Sequence, residues 1–146
     1  MPTPEENKEL VRRFNEEVFN NKNLAFVEEA LADDFVEHEE APGIDTNDKA
    51  GALSWFKQMF EAVPDLHGEI THLVASGDRV VVRTTTTGTD QGGLMPGMPP
   101  TGKSFETTAI DILRFDENGK VAEHWGVFDA MTAMMQLGLV PAPPGS

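Results

Sequence analysis

The sequence has no cysteine and no tyrosine among its 146 residues. Without Cys there is no disulfide, no thiolate metal ligand and no thiol nucleophile. Without Tyr no phenol can serve as an acid or as an oxyanion donor. Basic residues are scarce, with 11 Lys and Arg against 25 Asp and Glu and a formal charge of −14. A phosphate backbone needs clustered Lys and Arg, so no nucleic acid is expected as partner. An anionic membrane surface is disfavoured for the same reason. No apolar run approaches the ~20 residues of a membrane span. Residues 1–9 carry neither the basic nor the apolar stretch of a secretion signal, so a soluble, cytoplasmic protein is expected. Chemistry is left to four His, the carboxylates, Ser, Thr and the backbone.

The length suits one domain with its own core, placed at residues 1–140, with 141–146 as a frayed tail. The first half reads as helices and the second as strands, which points to α+β rather than a parallel βαβ sheet. Thr3-Pro4-Glu5-Glu6 is a capping box with Pro at the first helical position. Leu10, Val11, Phe14 and Val18 follow at helical spacing. Leu24, Val27 and Leu31 form a second, shorter stripe. The run from Asp33 to His38 reads as a turn into a short extended segment. A third helix is expected from about Thr46 to Ala62, stopped by Pro64. Strands are expected over Leu66–Ala75, Arg79–Thr89, Lys103–Phe115 and Lys120–Phe128. Asp129 suits the cap of a last helix, Ala130–Leu137, closed by Gly138. The connection Asp90–Gly102, of ~13 residues, is longer than usual and suits a flap or a plain surface loop.

Side-chain parity separates the two faces of the sheet. Arg79, Arg83, Asp111 and Glu123 are all odd-numbered, with Arg114 as an exception near a strand end. The even residues Val80, Val82, Thr84, Thr86, Ile110, Ile112, His124, Gly126 and Phe128 are therefore expected to face the helices. Between the layers they can enclose a pocket for a small hydrophobic or aromatic ligand, or simply fill the core. Its floor would be Ile110, Ile112 and Phe128, with Thr84 and Gly126 on the same face. Trp55, Phe56, Met59 and Phe60 would be the roof, and Met95 and Met98 a flexible lip. The odd face carries Val81, Leu113, Trp125 and Val127, too apolar to leave in water. It is expected to form a homodimer, with Arg83, Asp111 and Glu123 as its polar part.

Several segments resemble the SnoaL-like polyketide cyclase (ester cyclase) group of the NTF2-like superfamily. They are Ala32-Asp33-Asp34-Phe35-Val36-Glu37-His38, Gly102-Lys103-Ser104-Phe105, the long run from Ile112 to Trp125, and Met135-Gln136-Leu137-Gly138. The resemblance covers nearly the whole chain. It implies a cone: three N-terminal helices on a strongly curved, mostly antiparallel sheet, with a short C-terminal helix. It also implies cofactor-free and metal-free chemistry, in which a pocket carboxylate takes a proton alpha to a carbonyl and the enolate closes a ring by aldol addition. Members commonly read Glu-His-Trp-Asp on the last strand, with that Asp as acid/base. Here the run is Glu123-His124-Trp125-Gly126, so Gly126 stands in the catalytic position. Such a chain is either a cyclase, lyase or isomerase using another group, or a binding or inactive member. Hydrolysis of a small substrate such as an epoxide is a third reading, although the fold's epoxide hydrolases use a tyrosine that is absent here.

His124, inward on the last strand, is the first candidate for the replacement acid/base, against a reading as a bonded core histidine. His38, at the mouth that the resemblance implies, is the second, against a reading as a rim residue among Glu37, Glu39 and Glu40. His67 and His72 have opposite parity and cannot both face inward without a bulge. No His-x-x-x-His or Glu-x-x-His helical spacing supports a metal. Residues 1–48 hold 14 of the acids and 4 of the bases. The acidity thus concentrates on the first helices and the His38 rim, which favours solubility and disfavours anionic ligands.

Overall fold

The computed structural model describes residues 2–141, 143 and 144. The tail expected over 141–146 therefore falls partly outside the described residues. Helix α1 (Pro4–Phe14) opens on the expected capping box, with Thr3 Oγ1 accepting from the Glu6 N–H at 3.1 Å. It runs on into a wider, π-helical turn, Asn15–Asn20. That turn brings two amides onto the sheet: Asn15 Nδ2 donates to the Gly68 carbonyl at 3.0 Å, and the Gly68 N–H donates to Asn20 Oδ1 at 2.8 Å. Helix α2 (Leu24–Ala30) is capped by Asn23 and leads directly into β1 (Leu31–Glu37). Helix α3 (Lys49–Ala62) starts three residues later than Thr46, because Asp48 is its cap and accepts from the Gly51 N–H at 2.9 Å. No helix among the described residues is long and apolar enough to cross a membrane.

Strands β2 (His67–Ser76), β3 (Arg79–Thr89), β4 (Ser104–Phe115) and β5 (Val121–Phe128) form an antiparallel meander. The β4–β5 hairpin turns at Gly119, whose φ of +75° suits glycine, while Asp116 Oδ1 accepts from the N–H groups of Asn118 and Lys120. Strand β1 adds to the far edge, parallel to β5, giving the order β1-β5-β4-β3-β2. Its register slips between Leu31, paired with Val121, and Val36, paired with Glu123. This bulge sets Glu37 beside His124. Helix α4 (Ala130–Gln136) closes the chain, capped by Asp129 through the Thr132 N–H at 3.1 Å. The α+β layout read from the sequence is thus the observed one.

The core lies between the helices and one face of the sheet. Val11, Val18, Val27, Leu31, Phe35, Val80, Val82 and Phe115 form its main part. Ala62, Val63, Leu66, Phe105 and Leu137 form a second cluster near α4.

The parity expectation holds on β3 and β5 and fails on β4. Val82 pairs with Asp111, which pairs with Gly126; Thr84 pairs with Ala109, which pairs with Phe128. Paired residue numbers across each β4 junction add to an odd total, so the even residues of β3 and β5 share a face with the odd residues of β4. Asp111 and Leu113 therefore point inward. Ile110 and Ile112 lie on the outer face, beside Val81, Arg83, Trp125 and Val127, and do not floor a pocket.

Candidate functional site

Between the helices and the inner face of the sheet lies an apolar cavity of about 320 Å³. Of the residues expected to enclose a pocket, Trp55, Phe56, Met59, Thr84, Met95 and Phe128 line it. Phe56 is the hub of its aromatic wall. Phe14, Phe19 and Trp55 meet it edge-on, with ring centroids 6.0, 6.0 and 5.0 Å away. Phe60 packs into the core behind that wall, and Met98 is exposed on the loop outside it.

The polar end of this cavity is built by three strands. His124 on β5 faces inward with both ring nitrogens engaged. Nδ1 lies 2.6 Å from Glu37 Oε1 of β1, and Nε2 lies 2.7 Å from Asp111 Oδ1 of β4. The side chains of Glu37 and His124 are 9% and 16% exposed, so that pair is shielded from water, while Asp111 is 26% exposed toward the cavity side. Burial by itself pushes the imidazolium down. The hydrogen bonds to Asp111 and Glu37, and the charges of both, outweigh it and hold His124 up to about 10. At neutral pH the ring is therefore an imidazolium donating to two carboxylates. It has no free lone pair with which to take a proton.

A third carboxyl completes the group. Glu39 follows β1, and its N–H donates to Glu37 Oε1 at 2.9 Å. Burial pushes the Glu39 carboxyl up; the His124 charge opposes this, and the charges of Asp111 and Glu37 add to it.

Gly126, the cross-strand partner of Asp111, lies beneath this group. A Cβ on Gly126 would collide with Asp111 Oδ1, and would stand 2.8 Å from Glu39 Oε1 and 2.9 Å from His124 Cε1. The volume that a side chain at position 126 would take is thus filled by a carboxylate reaching across from β4.

His38 takes no part in this cluster. Consecutive residues of a strand point to opposite faces, so with Glu37 inward His38 turns outward. There it stacks on Trp125, with centroids 4.7 Å apart, and bonds Glu123 at 2.8 Å. Glu123 also accepts from Arg114 Nε at 2.6 Å. The sequence places Asp111 in the polar part of the outer dimer face and Glu37 and Glu39 on the rim about His38; instead all three line the cavity, Asp111 because its strand partners Val82 and Gly126 face inward. Two signals mark them: Asp111 is a lone charge inside the run Ala109-Ile110-Asp111-Ile112-Leu113, and Glu37 and Glu39 alternate about His38. Among the described residues, no group of three or more His, Asp or Glu is arranged to hold a metal ion.

No curated protein matches this chain. Among solved structures it is similar to AclR, a candidate hydroxylase from Streptomyces galilaeus, with 30% identity and a TM-score of 0.84 over 98% of this chain and 87% of that one. It is similar to IdmH, a candidate polyketide cyclase from Streptomyces antibioticus, with 30% identity and a TM-score of 0.74 over 90% and 98%. An epoxide hydrolase of the LEH-like type from M. tuberculosis shares the fold at 18% identity, with a TM-score of 0.69 over 94% and 93%. The family model for SnoaL-like polyketide cyclase matches residues 9–137, and the chain belongs to that family.

Proposed function

We propose that this protein is a cofactor-independent aldol-type cyclase, or a related lyase or isomerase, for a small apolar carbonyl compound, with Asp111 as its base. One observation carries the reading: the Asp111 carboxylate occupies the space above Gly126 where the family's acid/base side chain is expected, at the polar end of an apolar cavity. In the proposed step, Asp111 takes the proton alpha to the substrate carbonyl. The C–H electron pair becomes the C=C of an enolate. The alpha carbon then attacks a second carbonyl carbon of the same molecule, and protonated Asp111 returns its proton to the new alkoxide. No metal, nucleotide or redox partner enters this balance.

His124 holds Asp111 in place, and its imidazolium lowers the cost of keeping two carboxylates in a dry site. That role replaces the expectation that His124 or His38 is itself the base. A protein that only bound an apolar ligand would gain nothing from burying this group, since desolvating charges costs several kcal/mol. The apolar outer face of the sheet further supports a homodimer.

The test uses proton exchange at the alpha carbon of 2-tetralone in heavy water, followed by NMR. Asp111→Asn is expected to slow exchange by about 10²–10⁴-fold, the usual worth of a positioned base. Exchange as fast in Asp111→Asn as in the parent would remove Asp111 from the role.

A further inference from the structure

The proposed base leaves a second requirement unmet. When the alpha proton departs, the carbonyl oxygen becomes negative, in a cavity walled by aromatic rings. A hydrogen-bond donor must be waiting for it. The usual O–H donor of such sites, a tyrosine, does not occur in this chain. The His124 ring N–H groups are committed to Glu37 and Asp111.

Glu39 is the group left over. Its Oε1 lies 2.8 Å from the place of a Cβ on Gly126, in the same small volume as Asp111 Oδ1 and the His124 ring. Among the described residues, no N–H or O–H donates to its carboxyl. The polar group it can still satisfy is one that enters the cavity. The charge count of the cluster decides its protonation. The His124 imidazolium offsets one of the two carboxylates it bridges. A third negative charge at Glu39 would leave two uncompensated charges against an apolar wall, and like charges at this separation repel strongly in a low dielectric. The groups that face Glu39 are Glu37 from β1, Asp111 from β4 and His124 from β5. Farther round the cavity stand Arg13 of α1, Glu29 of α2 and Lys120. A proton taken up by the cluster's carboxyls therefore goes to the one that the imidazolium does not bridge. The raised Glu39 carboxyl agrees with this placement.

We propose that Glu39, as a neutral carboxylic acid, is a second catalytic residue that donates a hydrogen bond to the substrate carbonyl oxygen while Asp111 takes the alpha proton, resting for its chemistry on the proton-abstraction reading above. As the C–H bond breaks toward Asp111, its electron pair becomes the new C=C and the carbonyl π pair moves onto oxygen. The Glu39 O–H bond to that oxygen shortens as charge develops. On ring closure the carbonyl re-forms and the proton stays with Glu39. The site then selects a neutral ketone or 1,3-dicarbonyl with an apolar body. A carboxylate substrate would meet three acidic groups.

The test uses 2-naphthol, a planar analogue of the 2-tetralone enol, titrated by fluorescence, alongside the exchange assay. Near-UV circular dichroism of Trp55 and Trp125 checks the fold of each variant. Glu39→Ala is expected to weaken 2-naphthol binding by about tenfold or more, the worth of one buried donor. Glu39→Gln, which keeps a donor but cannot titrate, is expected to stay near the parent. Parent binding is expected to fall as pH rises through the Glu39 transition, and Glu39→Gln is expected to lack that step. Unchanged binding in Glu39→Ala, equal loss in both variants, or no binding of 2-naphthol by the parent would each overturn the proposal. If Glu39→Ala does not fold, the pH profile of Glu39→Gln against the parent decides alone. If binding depends on Glu39 but the parent exchanges no proton, Glu39 stands as the donor and the Asp111 reading fails by itself.

Discussion

Gly126 makes the cluster possible by having no side chain. Asp111 Oδ1 and the His124 ring, which a Cβ there would strike, are bonded to each other at 2.7 Å and cannot yield without breaking that bond. Gly126→Ala is therefore expected to destabilise the protein by about 1–3 kcal/mol, the cost of overpacking a close-packed site. It is also expected to slow alpha-proton exchange, and thermal unfolding with the 2-tetralone assay reads both effects. Gly126→Asp installs the residue that the resemblance to the family implies at this position, yet it is expected to be worse, because two carboxylates would claim one volume. A gain of exchange in Gly126→Asp would show that Asp111 is no substitute. Protonation gives a second prediction. The folded value of His124, about 10, lies above its ordinary 6.5. Its contribution to stability is complete below 6.5 and is lost as pH rises toward 10. Glu39, also raised, acts in the same direction. Urea midpoints are expected to fall from neutral to alkaline pH, and Glu37→Gln, which removes one partner of the imidazolium, is expected to flatten that fall. At this scale the sequence marked His124 and Gly126 as inward but set Asp111 on the outer face. A residue's face follows from its strand partner, and the partner of Asp111 depends on how a long loop closes.

The loop from Asp90 to Lys103 joins β3 to β4, and one buried side chain anchors it. Asp90 is 1% exposed, and its carboxylate accepts from the N–H groups of Gly93, Leu94 and Thr101 and from the Thr101 hydroxyl, at 2.6 to 3.0 Å. Leu94 and Met95, on the same loop, line the cavity. Asp90→Ala strands several of these donors, each costing about 1–3 kcal/mol if left unsatisfied. Faster amide hydrogen exchange confined to residues 91–102 is expected, with weaker 2-naphthol binding and little change in the helices. Exchange spread evenly over the chain would mean that Asp90 holds the whole fold rather than this loop. Elements whose signals are local were legible: the capping box at Thr3 and the Asp129 cap both formed where the sequence put them. The parallel pairing of β1 with β5 was not. It joins residues nearly ninety positions apart, and no local pattern encodes such a contact. The π-helical turn at Asn15–Asn20 was hidden too, since it is selected by the bonds of Asn15 and Asn20 to Gly68 on β2.

The whole molecule has one surface whose composition is unlike the rest. Val74, Val81, Ile112 and Trp125 form one row across the outer face of the sheet, and Arg83, Ile110 and Val127 form the next. Val127 is 69% exposed and Val74 60%, while Trp125 is held flat between the His38 ring and the Arg79 guanidinium. A two-fold pairing of this face would cover the valines and Ile110, with Arg83 in the middle and the Arg114–Glu123–His38 group at its margin. Light scattering is expected to give twice 16.0 kDa at micromolar concentration. Val127→Asp places a charge on both copies at once and is expected to halve that mass, whereas a parent already monomeric would leave the face unpartnered. The two sides of β5 are not independent. Trp125 and Val127 point to the proposed partner, and His124 and Gly126, on the same strand, point into the cavity. Strand β1 repeats the arrangement, with His38 outward and Glu37 bonded to His124 inward. A partner that packs β1 and β5 from outside would stiffen the two strands that supply Glu37 and His124 and that lead into Glu39. Val127→Asp is accordingly expected to slow 2-tetralone exchange several-fold as well, with the exchange rate per protomer recovering toward the parent at protein concentrations high enough to re-form the pair.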